Sequence, residues 1–217
     1  MFSGDMNLAI ADLETLAHTD DAQVLSFGLC TAPVDKTLTF KQLCETYSMF
    51  LKFDVKEQAN KYKRSFDENV MTEFWLNDSH TNLESRRVSL YPSPEDVSIG
   101  TITDAIWKHT RALGMDIKTM DIGDRNAYDL SKLKHMFDQT GSIQPWSYRN
   151  GFEITSVLKA WGADRYAGID PKDIPGMVYH HPVHDAVLDW LRFQYQAITI
   201  GALDRPEGYD LDYILNN

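Results

Sequence analysis

One stretch restricts the fold more than any other. Residues 7–17 (Asn-Leu-Ala-Ile-Ala-Asp-Leu-Glu-Thr-Leu-Ala) are apolar almost throughout, yet carry Asp12 and Glu14 in their middle. A run of this kind reads as a strand buried in a core. Successive side chains on a strand alternate between faces, so Asp12 and Glu14 project to one side and Leu13 to the other. Two carboxylates crowded together on a buried strand repel each other and lose hydration, unless something cationic neutralises them. The alternative is a strand end open to water. Roughly one D-x-E triplet is expected by chance in a chain of this composition, so the triplet alone does not decide between the two.

The surrounding pattern predicts a layered α/β protein. Residues 24–30 form a second apolar run, separated from the first by the polar turn Thr19-Asp20-Asp21. Residues 37–40 and 47–53 are further extended candidates, and together these segments read as an antiparallel meander. The chain then turns polar and helical from Lys56 to about Arg87. Ser93 and Pro94 predict a helix start, with Gly114 as its stop. A short strand is expected over 117–122, an amphipathic helix over 128–140 ended by Gly141, and another helix over 152–161. Pro182 opens the last clear helix, and the tail from Gly201 reads as polar and loosely packed. Strands first, then helices alternating with strands, imply an α/β or α+β layer architecture in one domain over residues 1–217.

Charge narrows the function. The chain carries 21 basic and 32 acidic residues, for a net charge of −11. Such a balance argues against a sequence-independent nucleic-acid coat, which requires a broadly cationic surface. It remains compatible with handling a phosphodiester through hard cations, whose preferred ligands are carboxylates. No apolar run long enough to span a bilayer occurs, so no membrane partner is expected. Residues 1–5 lack the basic and apolar regions of a secretory signal. With Cys30 and Cys44 outside any CxxC pair, the expected setting is a reducing cytoplasm.

Two further acid-bearing motifs follow. In Asn126-Ala-Tyr128-Asp129, the aspartate either caps a helix or reaches a metal from a neighbouring element, with Asp121 and Asp124 as rivals. In His180-His-Pro-Val-His-Asp185, both His180/Asp185 and His184/Asp189 satisfy H-x4-D. Pro182 selects between them. Placed in the first helical turn, it leaves His180 on the preceding loop and Asp185 one turn inside.

D-x-E, N-x-Y-D and H-x4-D in this order resemble the DEDDh 3′–5′ exonucleases of the ribonuclease H-like superfamily (DnaQ-like). The similarity is nearest to the phage exonuclease A (DexA) type, through residues 51–58, Glu73-Phe-Trp-Leu-Asn77 and Pro145-Trp146, and it runs from about residue 7 to 197. The resemblance implies a ribonuclease H-like mixed β-sheet, an antiparallel meander plus parallel strands, flanked by α-helices. It implies metal ligation by Asp12, Glu14, Asp129 and Asp185, general-base catalysis by His180, and a terminal nucleotide beside Leu13, Thr15 and Leu16. The implied cofactor is a pair of Mg²⁺ ions, with Mn²⁺ as substitute. The implied substrate is a DNA 3′ end, single-stranded, with RNA as the alternative and a non-catalytic nucleic-acid-binding module of the same fold as the other reading, and no obligate protein partner is evident. A phage-encoded chain would act in the host cytoplasm. Departures exist: Phe152 and Glu153 stand where Arg-Asp is common, and His181 where Asn or Asp is usual. Tyr166-x3-Asp170 fits the family's tyrosine subclass, but Pro171 biases Asp170 away from helical geometry. For contact with a nucleic-acid backbone the candidates are Lys56, Lys61, Lys63 and Arg64, and the pair Arg86-Arg87; a merely solvated helix face is the other reading.

Overall fold

The computed structural model describes residues 6–164 and 166–217. The reading made of residues 1–5 lies outside the described residues. Five strands form one sheet in the order β3-β2-β1-β4-β5. β1 (Asn7–Thr15), β2 (Val24–Pro33) and β3 (Ser48–Lys52) make the expected antiparallel meander, while β4 (Asp121–Asp124) and β5 (Gly151–Glu153) add parallel to β1. Among the described residues the α-helices are α1 (Phe40–Thr46), α2 (Val55–Glu57), α3 (Leu83–Ser85), α4 (Ile102–Ala112), α5 (Asp129–Thr140), α6 (Ile154–Ala160), α7 (Pro182–Thr199) and α8 (Leu211–Asn216).

Strand parity sorts the core into two layers. Leu8, Ile10, Cys30 and Ala32 pack with Val183, Val187, Trp190 and Leu191 of α7, joined by α1, α6 and α8 residues. Ala9, Ala11, Leu13, Phe27 and Leu29 pack on the opposite face with Ile102 and Ile106 of α4 and Leu133, Met136 and Phe137 of α5. With both faces covered, β1 and β2 need near-continuous apolar runs, which is what the sequence has.

Several local expectations change. Residues 37–40 are not extended: Thr39 accepts from the Gln42 amide while the Gln42 side chain accepts from the Thr39 amide, a capping box that starts α1. The Pro94 region is not helical either. Ser93 and Asp96 close a turn on each other, and Val97 bridges Phe53 in extended form, so the helix begins only at Ile99–Thr101 and Ile102. Residues 117–119 form a turn, and the strand starts at Asp121. Between Lys56 and Arg87 the chain makes short α- and π-helical turns rather than one helix. The tail packs well: Tyr209, Ile214 and Leu215 are buried in the α7 layer.

Two features aim this scaffold at one end of the sheet. β4 meets β1 only at Leu8–Ile10, so β1 outruns it and leaves an open edge from Ala11 onward. The β1–β2 register slips between Glu14 and Thr15, a bulge at the point where the sheet ends.

Candidate active site

A cavity of about 950 Å³ opens at the end of β1, lined by Asp12, Glu14, Asp129, His180, Asp185 and Asp189 among others. Each acid arrives there by a different local device.

Asp12 and Glu14 come with the strand, on the face that also bears Leu8 and Ile10. Directly opposite Asp12 in the ladder stands Gly28. A Cβ at Gly28 would lie 2.3 Å from the Pro182 carbonyl group and 2.5 Å from the Val183 nitrogen. Only glycine lets the start of α7 rest on the sheet at this level. That seating brings Asp185, in the first turn of α7, to Glu14. Ligand atoms of Glu14, His180 and Asp185 all lie within 4.8 Å of one another.

Asp129 reaches the site because another residue caps its helix. Asp124 Oδ2 accepts from the main-chain amides of Asp129 (2.7 Å) and Leu130 (2.9 Å). Asp129 is therefore not the cap, and its carboxyl is free to face β1. The connecting residues Asn126 and Ala127 both hold positive φ (65° and 54°), a conformation that costs non-glycine residues on the order of 1 kcal/mol or more. The Asn126 amide is tied to Glu153 Oε1 at 2.9 Å.

His180 is also held in a left-handed conformation, with φ 56°. Its amide donates to Asp185 Oδ2 (3.0 Å), and its carbonyl accepts from Ser89 Oγ (3.5 Å). Ser85 Oγ donates to the adjacent Tyr179 carbonyl at 2.6 Å, and Ser89 is tied to Ser26 on β2 at 2.7 Å. The three serines are buried. The imidazole packs edge-on against Phe74 at 4.8 Å, and its Nδ1 lies 3.4 Å from Glu14 Oε1. The rival register points elsewhere for its histidine. His184 Nδ1 accepts the Val178 amide (2.9 Å), and its ring stacks on His181 at 4.2 Å. Burial, with the adjacent His181, pushes its pKa down to about 4.

The electrostatics of the cluster suit a divalent cation. Burial, reinforced by Asp129, Asp185 and Glu14, holds the Asp12 carboxyl well above its usual range. Burial and the neighbouring Asp124 and Glu14 do the same to Asp129. Asp185 is pushed up to about 7, by burial first and by Glu14 next. For His180, burial disfavours the imidazolium, but hydrogen bonding to Glu14 and the charges of Glu14 and Asp185 outweigh it, and its pKa rises. Asp12 Oδ2 is buried and has no hydrogen-bond partner among the described residues. An orphaned carboxylate oxygen among like charges is a donor set suited to Mg²⁺ or Mn²⁺, which take oxygen ligands.

Of the residues expected beside a nucleotide, Leu13 and Thr15 line the cavity. Leu16 does not: its side chain is buried with Leu25 and Trp75. Two expected backbone contacts are also spent elsewhere. Arg64 is buried on the Ala22 and Asp20 carbonyls and Gln139, and Arg86 is bound to Trp75, Thr81 and Asp78. The cavity wall also holds Arg125 and Arg192, which motif reading passed over, and Phe74 and Tyr128, which stood inside quoted motifs without a role of their own. Only Arg192 carried a signal in spacing: with Asp185 and Asp189 it recurs at i, i+4 and i+7 along α7.

No protein-family model matches this sequence, and no curated protein matches it either. Solved structures do. Apo exonuclease I superposes with a TM-score of 0.55 at 12% identity over 90% of this chain, and product-bound exonuclease I with 0.54 at 11%. A zinc-bound complex of E. coli ExoI with ssDNA gives 0.52 at 12%. This chain has the ribonuclease H-like fold. It spans less than half the length of those proteins, 42%, 45% and 41% respectively. In this sheet order β1 lies between antiparallel β2 and, over Leu8–Ile10 alone, parallel β4, so its acid-bearing end runs past β4 and opens on the cavity. No described helix is long and apolar enough to cross a membrane.

Proposed function

We propose that residues 1–217 form one exonuclease domain of the DEDDh kind, which removes nucleotides from DNA 3′ ends with the help of divalent cations. The observation that carries this reading is the meeting of Asp12, Glu14, Asp129 and Asp185 at one cavity, with His180 against Glu14. The four carboxylates are the ligands for Mg²⁺ or Mn²⁺. When bound, such cations supply Lewis acidity, favouring ionisation of a water and offsetting charge on the departing oxygen.

The chain's own groups account for the rest. With its Nδ1 proton directed at Glu14, His180 keeps the Nε2 lone pair to accept a proton from water. The water oxygen bonds to phosphorus as the P–O3′ bond breaks. The leaving 3′ oxygen takes a proton from solvent, and a nucleoside 5′-monophosphate departs. The clamps on the backbone around His180 hold the base in position before substrate arrives.

Side-by-side assays on labelled single-stranded DNA and RNA oligonucleotides test the reading. Chelator is expected to abolish hydrolysis, Mg²⁺ or Mn²⁺ to restore it, and DNA to be cut faster. His180→Ala is expected to stop turnover while retaining binding, with His184→Ala milder. Undiminished hydrolysis in excess chelator overturns the proposal, and faster cutting of RNA reassigns the substrate.

A further inference from the structure

Three arginine or lysine side chains line the cavity among the described residues: Arg125, Lys172 and Arg192. Arg192 is consumed by the fold. It is buried, its Nε and Nη2 bond the Tyr166 and Ile169 carbonyls, and its Nη1 bonds Asp189 Oδ1 at 3.1 Å. Lys172 is exposed. Arg125 differs from both. Its Nε donates to Asp189 Oδ2 at 2.9 Å and its Nη2 to Asp189 Oδ1, a two-point grip that fixes the guanidinium plane. Its Nη1 makes no hydrogen bond among the described residues, and the side chain is 32% exposed.

The trio of Arg125, Arg192 and Asp189 carries one surplus positive charge. It lies one helical turn beyond Asp185, and the charges of Asp185 and Asp12 both act on Arg125. A rigid guanidinium with unused donors, beside a carboxylate cluster, suits a group that carries negative charge and planar-fork acceptor geometry. Resting on the nuclease reading above, we propose that Arg125 binds a phosphate of the nucleic-acid strand through its free N–H groups, with Asp189 and Arg192 as positioning residues.

The test measures binding of a fluorescent single-stranded oligonucleotide by anisotropy, with Mg²⁺, in His180→Ala protein. Adding Arg125→Ala is expected to weaken binding by roughly tenfold or more. The slope of log affinity against log salt should fall by about 0.7, as for one lost phosphate contact on a single strand. An oligonucleotide with a neutral methylphosphonate at the contacted linkage, found by scanning the 3′-terminal positions, should bind both proteins equally. Arg125→Ala with Asp189→Asn removes the stranded carboxylate, and guards against a folding defect; the same loss is expected. Equal affinity and an unchanged salt slope overturn the assignment. Undiminished hydrolysis by His180→Ala defeats the catalytic reading instead, and a protein that binds no oligonucleotide overturns both.

Discussion

The site is assembled from two kinds of backbone. Asp12 and Glu14 occupy regular strand positions, placed by ladder register and parity alone. Asp129 and His180 arrive through left-handed residues, held by side-chain hydrogen bonds: from Asp124 for one, from Ser85 and Ser89 for the other. The sheet supplies its carboxylates without strain, whereas the loops must be restrained at each position. The difference separates residues whose loss removes chemistry from those whose loss only blurs its geometry.

The largest effect should come from the strand. Asp12→Asn is expected to cut kcat by roughly 10³-fold or more, as removal of a metal ligand does, with the fold intact by circular dichroism. Asp124→Ala attacks the loop side. Losing the cap of α5 should cost about 1 kcal/mol in chemical denaturation and lower kcat by roughly ten- to a hundredfold, with Asp124→Asn restoring much of both. Ser85→Ala should lower kcat by about tenfold and leave KM unchanged in steady-state kinetics, since it loosens the base without touching substrate. If Ser85→Ala matches Asp12→Asn, the distinction between the two backbones fails.

The smallest effect sharpens the comparison in the metal-free state. The Asp185 pKa is raised to about 7 from an unfolded value near 3.8. The folded chain thus binds this proton more tightly than the unfolded one. Its contribution to stability is full below about pH 4 and is lost as pH rises through 7. Thermal melts in chelator should therefore fall across this window for the wild type. Asp185→Asn should flatten that dependence and raise the melting temperature near pH 8 by a few degrees.

Much of this architecture was legible in the sequence. Asp12 and Glu14 sit in an apolar run that reads as a covered strand, and Pro182 set the register that puts His180 before α7 and Asp185 within it. Gly141 likewise ends α5 with φ 70°. The Lys56–Arg87 region was less legible. Its sparse apolar residues divide between two tasks, Phe74 at the cavity wall and Trp75 in a small core with Leu16 and Leu25, so no single helical period emerges. Pro94 misled for a related reason: Ser93 and Asp96 satisfy each other locally, and the bridge from Val97 to Phe53 overrides the helix signal. Asp124 as cap was invisible because capping depends on which of two nearby aspartates meets the α5 amides, and the loop geometry decides that.

The bare contact at Gly28 has a mechanical corollary. Main chain rests on main chain there, so the spacing between helix and sheet is set by atomic radii and not by any rotamer. Repacking the neighbouring core can change how firmly α7 is gripped, but it cannot easily retune how far the histidine-bearing end stands from the strand. Within this scaffold, reach must be adjusted in the walls, because the floor has no play.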